Sequence, residues 1–115
     1  MRKRLKPSSR AKSRISAPLF AALGDKTRLW LVSRLCNGGP MSITSLTTGS
    51  RVTRQAVTKH LRVLEGAGLV RSRRHGRESI WQLEQRRLGE ARRYLDLISL
   101  QWDEALGRLR TFVEE

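Results

Sequence analysis

Apolar residues recur along this chain in short periodic runs, and each run stops at glycine, proline or a small polar residue. The first is ISAPLFAALG, residues 15–24. Ser16 is placed to N-cap it, Pro18 suits the first turn, and Gly24 ends it, so a short helix is predicted. Asp25 caps the next run, KTRLWLVSRLC, in which Leu29, Val32 and Cys36 recur at steps of three and four. Asn37, Gly38, Gly39 and Pro40 stop that helix, by left-handed tolerance and by the missing proline amide. Ser42 opens a short third helix, ITSLTT, with Ile43 and Leu46 facing inward. The stretch Gly49–Ser50–Arg51–Val52 then reads as a tight turn, and Thr53 caps a fourth helix. Period-two patterning follows in Leu69–Arg73 and Glu78–Leu83, two short strands with Trp81 and Leu83 on one face and His75–Gly76 as the turn.

The fourth helix divides sharply. At about 100° per residue, Arg54, Gln55, Thr58, Lys59, Arg62 and Glu65 fall on one arc. Ala56, Val57, His60, Leu61, Val63 and Leu64 fall on the other. One face packs. The other carries guanidiniums, an amide and a hydroxyl, the groups that read purine edges and phosphates in a major groove. An amphipathic helix with a merely solvated face has the same look, but the short helix and glycine turn before it complete a helix–turn–helix.

Charge sharpens this picture. The 115 residues carry a formal net charge of +14, which favours a polyanionic partner: nucleic acid first, an anionic membrane second. Residues 1–24 hold seven Lys/Arg and no acid, whereas residues 51–77 hold eight against Glu65 alone. Residues 1–14 have few apolar side chains and are expected to form a disordered basic arm; a transit peptide has a similar composition. Arg71, Arg73, Arg74 and Arg77 crowd the hairpin tip, which repels itself unless phosphate lies nearby. Helix and hairpin therefore carry the same charge because they touch the same polyanion.

From Gln85 to Glu115 the tally is six basic against six acidic, and the pattern changes. Leu88, Ala91, Leu95, Ile98, Trp102, Ala105, Leu109 and Phe112 step by three and four without a break. That is an a/d seam on a helix of about 27 residues, about 40 Å long. The short helix at Leu19–Leu23 cannot cover it all, so a homodimer interface is expected. A membrane-surface helix would have a basic polar face, and this one is balanced. No apolar run is long enough for a transmembrane helix, no secretory signal is apparent, and the single Cys36 forms no intramolecular disulfide; a cytoplasmic location is expected.

The remaining chemistry is sparse. No nucleophile–base pair, carboxylate pair or phosphate-cradling glycine loop occurs, so an enzyme is not expected. Cys36 reads as a small core residue, His60 as a packed, hydrogen-bonded histidine and His75 as a turn residue. A closed zinc or arsenic site needs three or four clustered ligands, which these do not supply.

The segments FAALGDKTRLWLV, SITSL, HLRVLEGAGLV and GRESIWQL, in this order and spacing, resemble the ArsR-type winged helix–turn–helix repressors. The likeness runs over roughly residues 18–83. It implies a homodimeric bacterial repressor with the helix after Thr53 in the major groove and the hairpin as its wing. Metal-sensing members of that family carry cysteines in the helix occupied here by SITSLTT, or histidine and acidic ligands on the last helix. Neither set has a Cys or His here, so the resemblance is to a metal-independent branch.

The expected fold is mainly α with a small β-hairpin: a basic arm (1–14), a winged helix–turn–helix domain (15–84) and a C-terminal dimerisation helix (85–115). Expected base contacts are Arg54, Gln55, Thr58 and Lys59; expected phosphate contacts are Arg51, Arg62, Arg73, Arg74 and Arg77. The expected partner is double-stranded DNA at an inverted-repeat operator, without metal or cofactor. The rival reading is a sequence-independent nucleic-acid packaging or RNA-binding protein. It has little use for a long neutral helix, and the chain lacks paired strand aromatics for base stacking.

Overall fold

The computed structural model describes residues 17–114; the expected basic arm and the Ser16 cap lie outside the described residues. The first helix, α1, covers residues 17–23. It is followed by α2 (Lys26–Gly38), β1 (Met41–Ser42), α3 (Ile43–Thr47), α4 (Arg54–Gly66), β2 (Val70–His75), β3 (Glu78–Leu83) and α5 (Gln85–Glu114). This is the expected architecture, mainly α with a small sheet and a long last helix.

Local chemistry fixes the helix starts. The carboxylate of Asp25 accepts from the Arg28 amide at 3.0 Å, and Thr53 Oγ1 accepts from the Ala56 amide at 3.1 Å. Ser42 Oγ accepts from the Ser45 amide at 3.2 Å. Each bond satisfies an amide that the first turn leaves without a helical partner. Gly39, at φ 72°, ends α2 with its amide bonded to the Leu35 carbonyl.

The core gathers one stripe from each element. Leu19 and Ala22 of α1 meet Leu31, Val32 and Leu35 of α2, Leu46 of α3, and Val57, Leu61 and Leu64 of α4. Leu69, Val70 and Trp81 close the bottom of this cluster. Burying one such leucine is worth about 1.5–3 kcal/mol.

Three inward assignments are corrected. Leu29 is 53% exposed, because the buried stripe of α2 runs through Leu31, Val32 and Leu35, and the half-buried residue one turn earlier on that stripe is Arg28. Cys36 is exposed, for the same rotation of the helix, and is not a core residue. Val63 is 46% exposed at the margin of the apolar arc of α4.

The sheet has the order β1–β3–β2, antiparallel throughout. The hairpin is longer than expected at its tip: β2 continues to His75, and Gly76 (φ 64°) and Arg77 make the turn. The sequence reading missed β1 altogether. Its two residues pair with β3, Met41 opposite Trp81 and Ser42 opposite Ile80.

The 30-residue α5 leaves the domain after a short anchor. Ala91 is buried, Leu88 packs against the core, and the Phe20 and Tyr94 rings lie 5.9 Å apart. Beyond that, Leu95, Ile98, Trp102, Leu109 and Phe112 are exposed and Ala105 is half-buried. None of the described helices is long and apolar enough to cross a membrane.

Candidate nucleic-acid interface

The helix–turn–helix is α3, the turn through Gly49 (φ 76°) and α4. Ser50 Oγ accepts from the Val52 amide at 2.9 Å, which holds the turn just before the Thr53 cap. Val57, Leu61 and Leu64 anchor α4 into the core, so its opposite face is turned to solvent. Arg54, Gln55 and Lys59 are exposed there, and Arg51 is exposed in the turn. Thr58 is half-buried and its hydroxyl donates to the Arg54 carbonyl at 2.8 Å. That bond leaves its oxygen lone pairs and methyl group for a partner.

Arg62 differs from the other cations of α4. Its Nη1 is paired with Glu65 Oε1 at 2.9 Å, and its guanidinium carbon lies 5.2 Å from the centroid of Trp81. Glu65 also accepts from Ser72 Oγ at 3.3 Å. Arg62 is thus tied to the root of the wing.

In the wing, Arg73, Arg74 and Arg77 are exposed, and among the described residues none has an ion pair. Arg73 stands opposite Ile80 and Arg74 opposite Ser79. Successive strand residues point to opposite faces, so these two guanidiniums leave the hairpin on different sides. Arg71, at the root, lies 3.8 Å from Glu84 and is set apart from the tip.

Helix and wing converge. Arg54, at the start of α4, and Arg77, at the hairpin turn, line one cleft together with Ser42, Ile43, Thr44 and Ser79. Glu78 lies in the same cleft.

A polar network behind α4 was not foreseen. Arg28 Nε donates to the Ala22 carbonyl, and its Nη1 lies 3.2 Å from Nδ1 of His60. His60 Nδ1 is in turn 3.7 Å from the Asp25 carboxylate. His60 is therefore the hydrogen-bonded residue expected, and the α1 end, the α2 start and α4 are joined through Arg28. A cation inside an apolar stripe was the available signal. The Arg28 amide holds the Asp25 carboxyl below the usual range, against the opposing effect of burial and with a further contribution from the Arg28 charge. On the other side of α2, Arg34 donates to the Ser45 carbonyl of α3 at 2.8 Å and stacks 5.6 Å from the Trp30 ring.

Among the described residues no three His, Cys, Asp or Glu side chains gather as a metal site would require.

The family described as "Helix-turn-helix domain" matches residues 23–73. The chain is 39% identical over 87 residues to the HTH-type transcriptional regulator Rv2034 of Mycobacterium tuberculosis, covering 76% of this chain and 78% of that protein. Among solved structures, an ArsR-like transcriptional regulator from Rhodococcus sp. RHA1 is 34% identical, with a TM-score of 0.76 over 89% of this chain and 95% of that one. A structure described as the homodimeric winged helix–turn–helix DNA-binding domain of Mb0332 from Mycobacterium bovis, a possible ArsR-family regulator, shares the fold. Its TM-score is 0.63 at 21% identity, over 90% and 92% of the two chains.

Proposed function

We propose that this chain, which belongs to the ArsR-type winged helix–turn–helix transcriptional regulators, represses transcription as a homodimer bound to an inverted-repeat operator. Members of this family bind DNA and are not enzymes, which leaves the operator, the contacts and the assembly as the open questions. In this reading residues 15–84 form the DNA-binding domain and residues 85–115 the dimerisation helix, and the protein works in the cytoplasm. The recognition helix α4 enters the major groove, where Arg54, Gln55, Thr58 and Lys59 meet base edges. Arg51, Arg62, Arg73, Arg74 and Arg77 meet phosphates, and these contacts set register and orientation.

The observation that carries this reading is the convergence of α4 and the wing on one cleft, lined by both Arg54 and Arg77 with both side chains exposed. A solvated helix face would have no reason to share its cations with a hairpin tip far along the sequence.

The dimer reading rests on α5. Its seam residues Leu95, Ile98, Trp102, Leu109 and Phe112 are all at least 43% exposed in the single chain. The homodimeric description of the Mycobacterium bovis relative supports the same assembly. Two recognition helices held about one DNA turn apart, roughly 34–36 Å, would then read two half-sites. We further propose that binding is independent of metal. Cys36, His60 and Asp25 belong to no described cluster of three ligands, and His60 and Asp25 already serve the Arg28 network.

Recovering the genomic fragments bound by the purified protein tests the reading. The expected result is a shared inverted repeat near promoters, protected as a unit. Bound fragments without any common sequence would favour a packaging protein instead.

A further inference from the structure

Three charged side chains line the cleft between the start of α4 and the hairpin turn: Arg54, Arg77 and Glu78. All three are exposed, and among the described residues none of these side chains is in an ion pair. The half-buried acids beside this surface are paired: Glu65 with Arg62, and Glu84 3.8 Å from Arg71. Glu78 shares its cleft with two guanidiniums and is in an ion pair with neither. It is the one acid at the tip of a wing that carries Arg73, Arg74 and Arg77.

We propose that Glu78 is a specificity-determining residue that acts by repulsion, opposing backbone phosphate in this cleft whenever the duplex is out of register. The inference rests on the DNA-reading interface proposed above. A strand whose bases reach Arg54 and whose phosphates reach Arg77 must run past this cleft. In the matched register Arg54 meets a base edge and Arg77 a phosphate, and no phosphate lies on Glu78. An unmatched duplex gives Arg54 no base edge to hold, so the strand shifts across the cleft, and phosphates brought to Glu78 meet a like charge. Sequence-independent attraction to phosphate supplies nearly all non-specific binding. A carboxylate in its path lowers that term while leaving matched binding almost untouched, and partners are commonly rejected by such like-charge contacts.

The test uses the full chain and duplexes chosen by repeated in vitro selection from a random library. Dissociation constants are measured for a selected duplex and a scrambled duplex of equal length, at two salt concentrations, for wild type, Glu78→Gln and Glu78→Asp. The Gln variant should bind the scrambled duplex roughly fivefold more tightly, the size of one unit-charge repulsion at about 4 Å in water. Its affinity for the selected duplex should change less than twofold. The Asp variant, which keeps the charge, should behave as wild type. Equal weakening on both duplexes would make Glu78 a positioning residue for Arg54 or Arg77 and would overturn the proposal, as would an unchanged scrambled affinity. If selection with wild type returns no preferred sequence, the DNA-reading interface itself fails, which these variants would not have revealed.

Discussion

The guanidinium of Arg62 lies 5.2 Å from the indole centroid of Trp81 while its Nη1 holds Glu65 at 2.9 Å. One side chain thereby joins α4 to the buried tryptophan of the wing. It has two tasks, a structural one and the proposed phosphate contact. Replacing Arg62 by Ala should lower stability by about 0.5–1 kcal/mol, the range for an exposed cation–π contact, and should also weaken DNA binding. Arg74→Ala should weaken binding with unchanged thermal unfolding. Equal unfolding temperatures for both variants would detach Arg62 from this role.

Base and phosphate contacts should fail differently. Arg54→Ala or Lys59→Ala should cost about 1–3 kcal/mol in affinity for the preferred sequence and relax the preference at one position. Arg73→Ala should weaken all sequences alike. Competition binding against single-base variants of the site separates these outcomes, and a loss of preference in the wing variant would reverse the two assignments.

Salt should weaken binding steeply. If a dimer neutralises about six to ten phosphates, affinity should fall about 10³–10⁵-fold between 50 and 200 mM salt. A nearly flat response, measured by fluorescence anisotropy, would contradict the cationic contact surface.

Dimerisation should depend on side chains that the single chain leaves in water. Trp102 is 64% exposed and Leu95 53% exposed. Trp102→Ala should cost the dimer about 3–5 kcal/mol, by analogy with large-to-small changes in a core. Leu95→Glu should be worse, since it would bury an unpaired carboxylate. Because neither residue belongs to the monomer core, both variants should keep a folded DNA-binding domain. Sedimentation velocity beside gel shifts reads the outcome: a dimeric Leu95→Glu protein, or a monomer with full operator affinity, would break the link between α5 and recognition.

Acid should release the start of α2. The Asp25 carboxyl is held below its ordinary range first by the Arg28 amide. A depressed folded value means that its contribution is complete above the unfolded value and is lost as pH falls through the folded one. Wild type should therefore lose stability in strongly acidic solution, and Asp25→Asn should lose less over the same interval. Parallel acid titrations by circular dichroism would argue against this carboxylate.

The sequence made legible whatever depends on neighbours a few residues apart. Asp25, Ser42 and Thr53 are caps because each reaches an amide three positions on, and that spacing is visible in the chain. The outward arc of α4 was equally plain. Arg28 was not: its acceptor His60 lies 32 residues later, and only the fold brings them together. Without Arg28 in the stripe, the apolar rhythm of α2 runs through Leu29 and Cys36, which are exposed. The strand β1 was missed because two residues have no period, and its partners are Ile80 and Trp81. Within the site, sequence could list the cations but could not separate Arg62 and Arg71, which face Glu65 and Glu84, from Arg54 and Arg77, which face solvent.

Ser42 ends β1 and also caps α3, so the backbone ladder to Ile80 runs directly into the helix–turn–helix. With Arg62 bridging from α4, the wing and α4 form one connected frame with two feet. On the proposed interface such a frame would work as a caliper: it would fit duplexes whose groove width already matches the gap between its feet, and any other duplex would have to be bent or squeezed to suit. Base pairs beneath the span, touched by no side chain, would then be selected through their stiffness.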